Sequence, residues 1–159
     1  MIAEILIEKI EGASSEEKVE NVANILQNED ITEIVVLENG RYIHMLREID
    51  IMSSLKNRIS EITTEREGYF AYEEEHFLKS LHKMHVNDLS ILPVVDKNMT
   101  YLGALRKESV LDYLCEQYAV SESDSIIIIE QGIRDYSLAT ISRIVEEEGG
   151  KVLGVFIGT

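Results

Sequence analysis

Apolar residues fall along this chain in two rhythms, and the rhythms alternate twice. Over residues 16–27, Val19, Ala23 and Leu26 recur at helical spacing, and over 74–85 Phe77, Leu81 and Met84 do the same. Each stretch is followed by a short, nearly unbroken apolar run, residues 31–37 and 89–95, which predicts a buried strand. Turn residues come next, Glu38-Asn39-Gly40 and Asp96-Lys97-Asn98, leading into second strands over 42–46 and 101–105. Helices over 47–58 and 106–117 close the two units.

The two halves are copies. A shift of 58 residues lays Val19 on Phe77, Ile34 on Leu92, Val36 on Val94 and Glu38 on Asp96. After one inserted turn residue the shift is 59, and Tyr42 meets Tyr101, Leu46 meets Leu105, Arg47 meets Arg106 and Ile51 meets Val110. The predicted order α-β-β-α makes a thin layer with one apolar sheet face. Two such layers bury those faces best against each other. The expected fold is therefore α/β (α+β), with repeats at residues 1–60 and 61–120 packed as one module.

Residues 118–125 are polar and read as a boundary, so 121–159 form a third segment. In it, 126–129 predict a strand, and Asp135 an N-cap for a helix with the stripe Leu138, Ile141, Ile144 and Val145. Gly149-Gly150 would end that helix before a strand over 151–157.

Charge narrows the function. Thirty acidic residues against fifteen Lys plus Arg give a net −15, which repels nucleic acid and anionic lipid. No apolar run is long enough to span a bilayer, and Glu4, Glu8 and Lys9 mark the start as structure rather than a signal peptide. One cysteine, Cys115, fits a reducing, cytoplasmic setting and is expected in the core. Glu73 to Glu75 are expected in the first turn of a helix, where its dipole favours them. His82 and His85 could face one metal, but no cysteine or carboxylate completes a set with them or His76, and a polar helix face is the favoured account. No nucleophile triad, phosphate loop or catalytic carboxylate pair is recognisable, so no enzyme is expected.

The stretch Leu89-Ser90-Ile91-Leu92-Pro93-Val94-Val95-Asp96, followed by Tyr101-Leu102-Gly103, resembles the central signature of a CBS domain. Residues 34–43 resemble it again, with Val35 in place of the proline and His44 in place of the glycine. The last β-α-β resembles the first half of a ferredoxin-like ACT domain, which implies that its second half belongs to a longer chain. A CBS pair followed by an ACT-like segment, with Arg134-Asp135-Tyr136-Ser137-Leu138, resembles acetoin-utilisation B-type bacterial regulators.

The resemblance implies a regulatory module with an adenine nucleotide (AMP, ADP or ATP) between the copies. The family pattern is glycine, two apolar residues, Thr or Ser, two residues, then an Asp that holds ribose hydroxyls. Residues 44–50 keep Asp50 but carry Arg47 at the hydroxyl position; residues 103–109 keep Gly103 but carry Arg106 and, in place of the Asp, Ser109. Both arginines start a helix, where the dipole disfavours a cation. That repeated placement points to an anion between them. It could be a phosphate, or a carboxylate from Glu48, Glu108 or a partner chain. Arg47, Asp50, Arg106 and Ser109 are thus the candidate ligand residues. The expected assembly is a homodimer, because half a ferredoxin-like fold leaves open strand edges. The competing reading is a ligand-free dimerisation scaffold.

Overall fold

The computed structural model describes residues 6–62, 68–117, 126–130, 132 and 137–155. The chain separates into two units, Met1–Leu111 and Asp112–Thr159.

The first repeat enters through a two-residue strand, β1 (Ala13–Ser14), and turns into helix α1 (Val19–Glu29). α1 buries Val22 and Leu26, then stops at Asp30, whose left-handed backbone (φ 53°) lets its N–H return to the Leu26 carbonyl. Strands β2 (Glu33–Glu38) and β3 (Arg41–Arg47) form a hairpin across Asn39 and Gly40, both at positive φ as a two-residue turn requires. A short helix, α2 (Glu48–Met52), follows, then a 3-10 turn at Ile59–Glu61. The second repeat runs in the same order: β4 (Ala71–Tyr72), α3 (Phe77–Val86), β5 (Ile91–Val95), β6 (Tyr101–Arg106) and α4 (Lys107–Gln117).

Each repeat builds a three-stranded sheet, β1-β2-β3 and β4-β5-β6, parallel at the first pair and antiparallel at the second. The registers match: Ala13 faces Val36 as Ala71 faces Val94. Both hairpins shift register at the same place, after Val36 and after Val94. The residues skipped there, Ile43 and Leu102, remain exposed. One apolar core serves both repeats, taking Val22, Ile34, Val36 and Leu46 from the first and Ile91, Val95 and Ala104 from the second.

The hairpins also join each other. Tyr42 N–H donates to Met99 O (2.9 Å) and Tyr101 N–H donates to Gly40 O (3.0 Å). The two phenols repeat the exchange, Tyr42 on the Tyr69 carbonyl (3.1 Å) and Tyr101 on that of Ile10 (2.9 Å). Every one of these pairs has its counterpart 59 residues on, so the duplication is expressed as an internal two-fold relation.

Several expectations are corrected. Both first helices begin three residues late, because Glu17 N–H turns back to Ser14 O and Glu75 N–H to Tyr72 O (2.9 Å each). Glu73 to Glu75 therefore precede α3, and Glu75 instead pairs with Lys83 at 2.8 Å. The helix expected over 47–58 stops at Met52: Ser53 Oγ donates to Ile49 O (2.6 Å), and Ser54 Oγ accepts the Lys56 N–H (3.0 Å) in place of a backbone carbonyl. Cys115 is exposed rather than in the core.

In the second unit α5 (Leu138–Glu147) forms as expected and ends at Gly149, whose φ is +83°. Its N-cap is Ser137, whose Oγ accepts the Thr140 N–H at 3.3 Å; Asp135 lies outside the described residues. Residues 126–130 and 151–155 form no strand, so of the expected β-α-β only the helix is formed among the described residues. A strand requires a neighbour to pair with, and neither flank has one among the described residues.

Candidate functional site

The four candidate residues sit at the junctions from β3 to α2 and from β6 to α4. Arg47 and Arg106 stand just before their helices, but neither guanidinium stays there. Arg47 Nη2 donates to the carbonyls of Asn87 and Asp88 (3.2 Å to the latter), at the C-terminal end of α3. Arg106 Nη1 donates to the Glu29 carbonyl (2.8 Å), at the C-terminal end of α1. Each arginine thus caps the first helix of the other repeat, where the dipole is negative and a cation is stabilised. This reach resolves the unfavourable placement that their sequence positions imply.

The rest of each side chain is treated differently in the two copies. Arg106 Nε donates to Glu8 Oε2 (2.9 Å) and Nη2 to Glu29 Oε2 (2.8 Å). Ser109 donates to the other oxygen of Glu8 (2.6 Å). The carboxylates on Arg106 are therefore Glu8 and Glu29, not Glu48 or Glu108. Arg47 Nε is buried with no hydrogen-bond partner among the described residues. Asp50 Oδ2 accepts the Arg47 backbone N–H (3.3 Å), which holds the carboxylate at the first turn of α2.

Between the two arginine positions lies a carboxylate that sequence reasoning passed over. Glu33 is 2 % exposed. It accepts from Thr32 Oγ1 (2.9 Å), Ser90 N–H (3.0 Å), Ser90 Oγ and Ile91 N–H (3.4 Å), tying the start of β2 to the start of β5. Its signal was present: at the equivalent place in the second copy stands Ile91, and a lone carboxylate inside an apolar strand must find donors.

Charge effects elsewhere are local. Backbone N–H groups of Thr100 and Asn98 hold the Asp96 carboxyl below its usual range against a smaller opposing effect of desolvation, and so lock the second hairpin turn. Burial, reinforced by the Glu29 charge, pushes the Tyr101 phenol well above its ordinary value. His76 caps α3 by accepting the Leu78 N–H (3.3 Å), while His82 and His85 are exposed. No group of three metal-ligating side chains occurs among the described residues. An open concavity of about 560 Å³ beside the start of α1, lined by Lys18, Val19, Glu20, Lys56, Asn57 and Arg58, involves neither candidate arginine.

Residues 2–57 match the CBS domain family. That match covers the first repeat, about a third of the chain. Over about 70% of the chain the fold is that of CBS domain pairs. The crystal structure of a CBS domain pair/ACT domain protein from Thermotoga maritima is 18% identical, with a TM-score of 0.63 over 70% of this chain and 94% of that one. CBSX2, solved in complex with AMP, is 11% identical, with a TM-score of 0.62 over 70% of this chain and 94% of that one. A CBS domain pair solved with 5′-methylthioadenosine and S-adenosyl-L-methionine is 22% identical, with a TM-score of 0.59 over 70% of this chain and 94% of that one. These identities establish the fold alone. No curated protein matches the chain significantly. No described helix is long and apolar enough to cross a membrane.

Proposed function

We propose that the chain is a regulatory CBS-pair module that binds an adenine nucleotide or similar anion and passes that state to a partner or to its C-terminal segment. CBS domains in general regulate rather than catalyse, and two CBS-pair neighbours were solved with adenosine-containing ligands. The observation that carries the reading is Arg47: a guanidinium fixed at the seam between repeats, with a buried Nε–H that no described residue accepts. A phosphate oxygen is the acceptor such a donor suits. Asp50, one turn into α2, supplies the acceptor for ribose hydroxyls. Arg106 and Ser109 are the equivalent pair in the second copy. The ACT-like reading of residues 121–159 belongs to this proposal as the segment that responds, its strands forming only when a second copy supplies their neighbours.

The test is a thermal-shift series with AMP, ADP and ATP against the full chain. A ligand that binds only the folded state raises the melting temperature as its concentration exceeds Kd. Asp50→Ala should abolish the shift by nucleotide while leaving any shift by inorganic phosphate. Arg47→Ala should weaken both, by about 1.5–3 kcal/mol if a charge-assisted bond is lost. Absence of any nucleotide shift in the wild type overturns the reading. It would favour the scaffold alternative, which draws on the full engagement of Arg106 by Glu8 and Glu29.

A further inference from the structure

The two repeats are related closely enough that their differences can be read one against the other. Arg47 and Arg106 each spend a terminal nitrogen on the same task, closing the other repeat's first helix, Nη2 in the one and Nη1 in the other. What remains is Nε. At Arg47 it has no hydrogen-bond partner among the described residues, and at Arg106 it holds Glu8.

Three features of the second copy serve that one carboxylate. Arg106 Nε takes one oxygen of Glu8, and the Ser109 hydroxyl takes the other. The first copy has Asp50 at the place of Ser109, and an acid at 109 would repel Glu8 where a hydroxyl donates to it. Gly103 is the third. It stands where the first copy has His44, with φ +142°, and a Cβ there would lie 2.4 Å from Glu8 O and 2.7 Å from Ile7 Cγ2. The missing side chain lets the Glu8 backbone lie against β6, with Glu8 N–H donating to Ala104 O (2.9 Å) and Ala104 N–H donating to Glu8 O (3.0 Å). Backbone and carboxylate are thus both anchored, so Glu8 is no chance surface contact.

We infer that Glu8 is a built-in occupant of the second copy's anion position, and that the chain accordingly accepts one external anion, at Arg47 and Asp50. The inference rests on the ligand reading above for the identity of that anion, but not for the blocking role of Glu8. Glu8 presents to Arg106 and Ser109 what a phosphate would present: two oxygens that share a negative charge. An external anion at Arg106 must displace a tethered one, whose local concentration is high because its backbone is already docked.

Equilibrium dialysis of the full chain with AMP, and separately with sodium sulfate, counts the sites. The wild type should take one AMP per chain, a count that Arg47→Ala abolishes. Glu8→Ala should take two, and Arg106→Ala in that background should return it to one. Glu8→Gln keeps the shape and one acceptor while removing the charge, and should also gain the second site if Glu8→Ala fails to fold. Two AMP per chain in the wild type, or one in both Glu8 variants, overturns the inference and leaves the ligand reading intact. Absence of AMP binding to the wild type overturns the ligand reading instead. The inference is then decided by sulfate: a site gained in a Glu8 variant and lost again with Arg106→Ala upholds it, and no gain overturns it.

Discussion

Arg106 lies 77 residues from Glu29 in sequence, yet its Nη1 donates to the Glu29 carbonyl oxygen at 2.8 Å and its Nη2 to the Glu29 carboxylate at the same distance. A residue of the second repeat therefore closes the first helix of the first, and Arg47 returns the exchange on Asn87 and Asp88. Truncating either arginine leaves helix-end carbonyls without their charged donor. Arg47→Ala and Arg106→Ala should each lower stability by about 1.5–3 kcal/mol in urea denaturation. Lysine should rescue only part of it, since an ammonium cannot span two acceptors in the guanidinium's fork. Wild-type stability in both alanine variants would show that these caps carry nothing.

Glu33 offers a sharper test of what joins the repeats. Its buried carboxylate satisfies the buried Ile91 N–H, the half-buried Ser90 N–H and hydroxyl, and the hydroxyl of exposed Thr32. Glu33→Ala should cost about 1.5–3 kcal/mol, because one buried and two half-buried donors lose their charged acceptor at once. Glu33→Gln keeps an oxygen for the Ser90 and Ile91 N–H groups and can donate to Thr32 Oγ1, so its cost should be clearly smaller. Equal losses in the two variants, read from denaturation midpoints, would contradict this account.

These contacts also mark how far the sequence could be read. The apolar runs over 31–37 and 89–95 and the offset between copies were legible because a buried strand admits few residue types. The two-residue strands β1 and β4 were not, since Ala13-Ser14 and Ala71-Tyr72 are too short to show a period. The early stop of α2 lay in the Ser53-Ser54 hydroxyls, whose choice of acceptor no pattern of hydrophobicity records. At the candidate site the arginines were recognisable as a repeated oddity. Their destinations were not, because Glu8 and Glu29 are ordinary acidic residues until the fold brings them to Arg106.

Tyr101 predicts an alkaline weakness. Its folded pKa is raised, first by burial and then by the Glu29 charge, so the fold favours the neutral phenol. The resulting stabilisation is fully present below the unfolded value of about 10 and is lost as pH rises beyond it. Tyr101→Phe keeps the ring but loses the bond to the Ile10 carbonyl, at a cost of about 1 kcal/mol near neutral pH. The stability gap between wild type and variant, measured by urea titration from pH 8 to 11, should narrow above pH 10. A gap that stays constant would mean that the phenol ionises as freely folded as unfolded.

Association is the remaining expectation, and the exposed apolar residues say where to look. Ile126, Ile127, Ile128 and Ile129 stand in a row, between 49% and 91% exposed, with Leu138 and Ile144 of α5 also open. In the other unit Ile49, Met52 and Leu55, on and just after α2, are exposed as well. Burying one such side chain contributes roughly 1.5–3 kcal/mol, and soluble chains seldom leave four isoleucines together in water. Light scattering should therefore report a dimer. Ile128→Asp should dissociate it if the C-terminal segment forms the interface, and Leu55→Asp if the α2 side does, with the far-ultraviolet spectrum unchanged in each case. A wild-type monomer at high concentration would remove the homodimer.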